Sequence, residues 1–262
     1  MTKTAIVKKP DGTISFELNL SRETIATTYD QVLREVAKTT SIKGFRPGKA
    51  PLPMVEGASD KSQLYSHVLE HLLSPAYSAV IHEHQLVPLI EPKVTPKQME
   101  IGKDWTLSVE VATSPVVELG AYKQYVKKAL TKLKKDSKQD DKLNLIFDAL
   151  LSGSKLEVSP LLIEEETKSA LSRLAKQLSE LKLSVAEYAK SMKKTTDELI
   201  SDYNKSAEAN LKLEFILQKL IELEKPTITD AELAALKPSK EQEPYTKYIL
   251  QKRKVLDFLS AL

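Results

Sequence analysis

Residues 44–51 read Gly44-Phe45-Arg46-Pro47-Gly48-Lys49-Ala50-Pro51, with Lys43 just before them. Glycines at 44 and 48 permit backbone turns that other residues resist, and Pro47 and Pro51 stiffen the segment. Between them stand an aromatic ring, Phe45, and two cations, Arg46 and Lys49. A rigid tip presenting a ring and several cations can meet RNA phosphate and an acidic protein surface together. A solvated basic loop with Phe45 tucked into the core has the same composition, so the residue types by themselves leave both readings open.

A second pattern, His67-Val68-Leu69-Glu70-His71, has the H-x-x-E-H spacing of a zinc hydrolase, and two histidines four apart share a helix face. Val68 and Leu72 fall in step with Leu64, so the stretch also reads as ordinary helix packing with partly exposed histidines. No third ligand with a distinguishing context follows. His82 and His84 are two apart and point to different sides of a helix. The chain has no cysteine, which excludes disulfides, thiol catalysis and cysteine-based metal sites. It has no glycine-rich phosphate loop followed by Lys-Ser or Lys-Thr. Any action is expected to be independent of ATP, without a cofactor or a catalytic residue.

The elements that position these residues fall into two halves. Residues 3–8 and 13–20 flank Pro10-Asp11-Gly12, a hairpin signal, and Ile14, Phe16, Leu18 and Leu20 alternate with polar neighbours as in a half-buried strand. Ser21 caps a helix with Ile25, Tyr29, Val32, Leu33 and Val36 on one face. After the loop, helical pattern is expected from about 59 to 85, with a kink or break at Pro75. Pro88, Pro92 and Pro96 then suit an edge strand, and Trp105, Leu107, Val109 and Val111 alternate as another. The order β-β-α-α-β-β implies an antiparallel sheet with helices on one side, an α+β domain. Its boundary is placed near Gly120, giving domains 1–120 and 121–262.

Beyond Ala121 every strong pattern is helical. Leu143, Ile146, Phe147, Leu150 and Leu151 form a stripe, Ser159-Pro160 opens a helix, and Leu171, Leu174, Leu178 and Leu181 continue as a heptad-like seam. Ser184, Thr195 and Thr229 each begin a capping box. Leu213, Ile216, Leu217, Leu220 and Ile221, then Tyr248, Ile249, Val255, Leu256 and Leu259, mark the last long helices. Short loops between amphipathic helices indicate an all-α C-terminal domain of helical arms. Lys127-Lys128, Lys134-Lys135 and Lys193-Lys194 read as solvated faces, residues 132–142 as a charged helix end or linker, and Trp105 as core or interface.

Composition agrees with a charge-rich globular protein: 262 residues, 41% hydrophobic and 29% charged, with too few glycines for a large all-β fold. A net charge of +3 names no nucleic-acid partner, so any basic site is local. No stretch approaches the roughly 18 apolar residues that span a bilayer. The N-terminus reads as mature protein, and a cytoplasmic location without a membrane partner is the simplest expectation.

Residues 44–51 resemble the ribosome-docking loop of bacterial trigger factor. The preceding β-β-α run and Val87-Pro88-Leu89-Ile90-Glu91-Pro92-Lys93-Val94 are similar to that family's N-terminal domain. Val158-Ser159-Pro160-Leu161-Leu162-Ile163-Glu164-Glu165-Glu166 and Leu183-Ser184-Val185-Ala186-Glu187-Tyr188 resemble its C-terminal arm region. The resemblance implies docking of Gly44, Phe45, Arg46, Gly48, Lys49 and Pro51 on the large ribosomal subunit near the tunnel exit, against ribosomal protein and rRNA. It implies chaperoning of unfolded nascent polypeptides by the helical half, and a weak homodimer. Family members often carry adjacent Phe-Arg-Lys at the tip. Here Pro47 takes the third place, so the second cation comes from Lys49 or Lys43. The family also usually carries a prolyl isomerase domain between the halves. Leu119-Gly120 instead runs straight to helical pattern by Tyr122, which leaves no room for one. The competing expectations are a ribosome-independent holdase and a hydrolase built on His67, Glu70 and His71.

Overall fold

The computed structural model describes residues 4–46, 48–100, 102–133, 138–236 and 238–262. Pro47, Lys134 and Lys135 lie outside the described residues, as does the start of the strand expected from residue 3. The chain forms two compact units. One comprises residues 1–9 and 13–113, the other residues 10–12 and 114–262. The division falls before Gly120 because residues 114–120 join the helical unit: Glu118 and Lys155 exchange backbone hydrogen bonds of 3.0 and 2.9 Å, and Leu119 is buried in that unit's core.

The first unit contains β1 (Ile6–Lys8), β2 (Thr13–Leu20), α1 (Arg22–Thr39), α2 (Leu52–Ala58), α3 (Lys61–His84), β3 (Lys93–Gln98) and β4 (Trp105–Ala112). Its strands form one antiparallel four-stranded sheet in the order β1-β2-β4-β3. Alternation decides which face is buried. Ile14, Phe16, Leu18 and Leu20 of β2 and Leu107, Val109 and Val111 of β4 enter the core, where they meet Ile25, Val32 and Leu33 of α1 and Leu64, Val68 and Leu72 of α3. The opposite face is polar, with Lys97 paired to Glu17 and Thr106 donating to Asn19. Pro96 lies on β3, an edge strand, where a missing N–H is tolerated. Trp105 is wholly buried, and its indole N–H donates to the Glu100 carbonyl.

Two helix expectations change. The segment expected to begin near 59 is preceded by a separate helix, α2, which carries Pro53 in its first turn, where proline's missing N–H has no helical partner to lose. Of the kink or break expected at Pro75, the break does not occur, for α3 runs unbroken from Lys61 to His84. Leu64, Val68, Leu72 and Val80 bury on both sides of Pro75 and hold the two segments to one core.

The second unit contains α4 (Tyr122–Leu130), α5 (Gln139–Gly153), α6 (Pro160–Glu180), α7 (Val185–Ser191), α8 (Thr196–Glu224), α9 (Asp230–Ala235) and α10 (Glu243–Ser260). Capping boxes at Ser184, Thr195 and Thr229 start α7, α8 and α9, with each hydroxyl accepting an N–H and each glutamate reaching back. The core draws Tyr122 and Val126 from α4, Ile146 and Leu150 from α5, Ile216, Leu217 and Leu220 from α8, and Val255 and Leu259 from α10. Helices α6 and α7 instead pack on the first half of α8, around Leu162, Leu178, Ala189, Leu199 and Ala207. The expected leucine seam is incomplete: Leu178 is buried, but Leu181 caps the end of α6 and is 69% exposed. Ile249 likewise lies outside the core. Among the described residues no helix is long and apolar enough to cross a membrane.

Candidate functional site

The loop expected to dock leaves the C-terminal end of α1. Thr40 closes that helix by donating both its N–H (2.9 Å) and its hydroxyl (2.8 Å) to the Val36 carbonyl. Ile42 then packs against the core, and the chain turns back as the Phe45 N–H donates to the Ile42 carbonyl at 3.0 Å. Gly44 sits at φ +92° in this turn, a conformation that side chains rarely adopt. A second constraint comes from Gly48, at φ +80°, whose N–H donates to the Ala37 carbonyl at 3.1 Å. A bond between Lys49 N–H and the Arg46 carbonyl, 2.9 Å, closes the tip. Ala50 and Leu52 return to the core, and Pro51 leads into α2.

The loop is thus anchored at Ile42, at Gly48 and at Ala50–Leu52, and what it presents is set by what those anchors leave outside. Lys43, Gly44, Phe45, Arg46, Gly48, Lys49 and Pro51 are all exposed. Phe45 is 38% exposed, so the ring is not tucked into the core. The side chains of Lys43, Arg46 and Lys49 make no hydrogen bond or ion pair among the described residues, unlike Lys97, Lys103, Lys123 and Lys194, which face carboxylates. An exposed ring beside unpartnered cations can form charge-assisted bonds to phosphate or carboxylate and bury apolar area in the same encounter. The outward face of α2 continues the exposed surface. Met54 is 50% exposed there; in the sequence Pro51 and Pro53 mask the helix that carries it.

The histidine pattern is dispersed. His67 Nδ1 lies 3.3 Å from Glu70, and His71 Nε2 lies 3.6 Å from Glu35. Both rings are about half exposed, while Leu64, Val68 and Leu72 of the same helix face the core. Among the described residues no three His, Asp or Glu side chains converge to hold a metal ion.

The helical unit carries a groove of about 670 Å³ between α6, α7 and α8. Ile163, Thr167 and Leu171 of α6 line it, together with Val185 of α7 and Ile200 and Asn204 of α8. Ile200 is 40% exposed. Glu164 and Lys168, one helical turn apart on α6, give the rim both signs of charge. Such a surface can hold apolar side chains without selecting for charge. The groove was hidden in the sequence, where Leu171 and Ile200 look like core residues of amphipathic helices.

Comparison with known proteins adds independent findings. The family model for bacterial trigger factor protein matches residues 2–145, and the model for the C-terminus of bacterial trigger factor protein matches residues 118–238. Trigger factor of Streptococcus gordonii is 39% identical over 112 residues, which cover 43% of this chain and 26% of that protein. Trigger factor of Streptococcus pneumoniae (strain Hungary19A-6) is 36% identical over 112 residues, with the same coverage. The alignment thus spans about a quarter of the length of each relative. One solved structure, from a study of promiscuous substrate recognition in the folding and assembly activities of the trigger factor chaperone, superposes with a TM-score of 0.68 over 99% of both chains. At 11% identity it shows a shared fold. With more than half of its residues matched by the first family model, and both units of its fold accounted for, the chain belongs to the bacterial trigger factor family.

Proposed function

We propose that this chain is an ATP-independent, ribosome-associated chaperone without prolyl isomerase activity that acts in the cytoplasm. The unit that contains the four-stranded sheet is its ribosome-binding part. Phe45, Arg46 and Lys49 contact the large ribosomal subunit near the tunnel exit, while Gly44, Gly48 and Pro51 shape the loop that carries them. The helical unit holds unfolded nascent polypeptides, with the groove of α6, α7 and α8 as an apolar holding surface. The observation that carries the reading is the anchored loop with an exposed Phe45 ring and cations that have no partner among the described residues. The absence of isomerase activity rests on residues 113–121, which lead from β4 to α4 without an inserted domain.

The test is co-sedimentation with purified ribosomes. The chain should pellet with them, and replacing Phe45, Arg46 and Lys49 together by alanine should abolish pelleting with the helical content unchanged. Binding should weaken as salt rises, because phosphate contacts release counterions. Undiminished pelleting of the triple variant refutes the loop assignment. A wild-type chain that does not pellet but still slows client aggregation would instead be a ribosome-independent holdase.

A further inference from the structure

The outward face of α2 is uncharged and partly apolar. Pro53, Met54, Gly57 and Ala58 are exposed, and none is charged, although 29% of the chain's residues are. The helix's one carboxylate, Glu56, is turned away to accept the Tyr29 hydroxyl at 2.9 Å. Val55 on the inner face is fully buried, so the helix cannot rotate to hide Met54. Gly57 is explained by neither strain nor packing: its φ is not positive, and a Cβ there would meet nothing within 4 Å. Glycine inside a helix costs stability relative to a side-chain-bearing residue.

This face begins where the docking loop ends, since Pro51 closes the loop and is also the N-cap of α2. The loop carries the cations, and α2 carries half-exposed apolar area without charge. Methionine is suited to such a role because its flexible, polarizable side chain adapts to an uneven partner. A phosphate-bearing surface offers little to an uncharged helix face, whereas a protein surface with an apolar spot does.

We propose that Met54 is a specificity-determining contact of the docking surface, and that the face of α2 around it seats against an uncharged, partly apolar patch of a protein beside the phosphates that Arg46 and Lys49 meet. This rests on the docking reading above and adds to it a second, salt-independent half of the interface.

The experiment uses the full chain and purified ribosomes, with dissociation constants measured over a series of potassium chloride concentrations. Two neutral variants, Met54→Gln and Gly57→Gln, are compared with Arg46→Ala. Losing the apolar contact of a half-exposed methionine should weaken binding about three- to tenfold at every salt concentration. The plot of log affinity against log salt should stay parallel to that of the wild type. Arg46→Ala should instead flatten the slope, by roughly 0.7–0.9 for one phosphate contact. Gly57→Gln should weaken binding while leaving the melting temperature unchanged or raised, because glutamine is the better helix former. A purely structural role would move binding and melting together. Unchanged affinity in both variants, or a changed salt slope in Met54→Gln, overturns the proposal and leaves the loop reading standing. Failure of the wild type to bind overturns both.

Discussion

Replacing Gly153 by alanine tests the packing of the helical unit, and the sign of the effect is informative. Gly153 is the last residue of α5, and its φ is not positive, so alanine fits the backbone there. From helix propensity alone the substitution should stabilise by about 0.5–1 kcal/mol. The structure opposes this. A Cβ at 153 would lie 2.6 Å from both Cε1 and Cζ of Tyr125 and 2.8 Å from Cδ1, roughly 1 Å inside ordinary contact. The ring cannot simply retreat, because its hydroxyl donates to the Leu119 carbonyl at 2.9 Å and lies 3.0 Å from the Ser154 hydroxyl oxygen. Overpacking typically costs about 1–3 kcal/mol, and a displaced hydrogen bond about 1 more. The net expectation is destabilisation of about 1–3 kcal/mol, a melting temperature lower by about 3–10 °C for a unit of this size. Thermal unfolding followed by far-ultraviolet circular dichroism measures it. A double-mutant cycle with Tyr125→Ala isolates the cause: without the ring, Gly153→Ala should become neutral or stabilising. If Gly153→Ala is as stable as the wild type while Tyr125 is present, or equally harmful when it is absent, the steric account is wrong.

Gly48→Ala should weaken ribosome binding several-fold in the pelleting assay. It strains a φ of +80° and loosens the bond to the Ala37 carbonyl that fixes the loop. Leu171→Glu combined with Ile200→Glu should reduce protection of a denatured client in a light-scattering aggregation assay without lowering helical content, because it puts charge into the groove. Undiminished protection would place clients elsewhere. The Lys254 ammonium, with the Thr229 N–H and hydroxyl, holds the Glu232 carboxyl down to about 2 from its ordinary 4.5. A depressed carboxylate pKa stabilises the fold above the ordinary value and loses that contribution as pH falls through the folded one. The melting temperature of Glu232→Gln should therefore fall less steeply than the wild type's between about pH 4.5 and pH 2, and parallel profiles would refute the coupling.

The local rules were legible in the residues themselves. Alternation at Ile14, Phe16, Leu18 and Leu20 marks a strand with one buried face, because side chains of a strand switch sides at every residue. Ser184, Thr195 and Thr229, each followed by glutamate at the third helical position, mark helix starts because the capping bonds close within one turn. Glycines at 44 and 48 likewise signal turns, and both take positive φ. What the alphabet could not decide was exposure. Phe45 and Leu181 are apolar in the sequence just as Phe16 and Leu178 are, yet the first pair faces solvent and the second is buried. Pro51-Leu52-Pro53 concealed α2, whose helix is held by Val55 entering a core built from residues distant in the chain. Pro75, which suggests a kink or a break, lies within a continuous helix for the same reason. The groove of α6, α7 and α8 exists only because helices separated in sequence come to lie side by side. Caps and periodicity are interactions among neighbours a few residues apart, and so are written into the sequence. Which apolar face finds a partner depends on contacts between distant segments, and only the tertiary structure settles it.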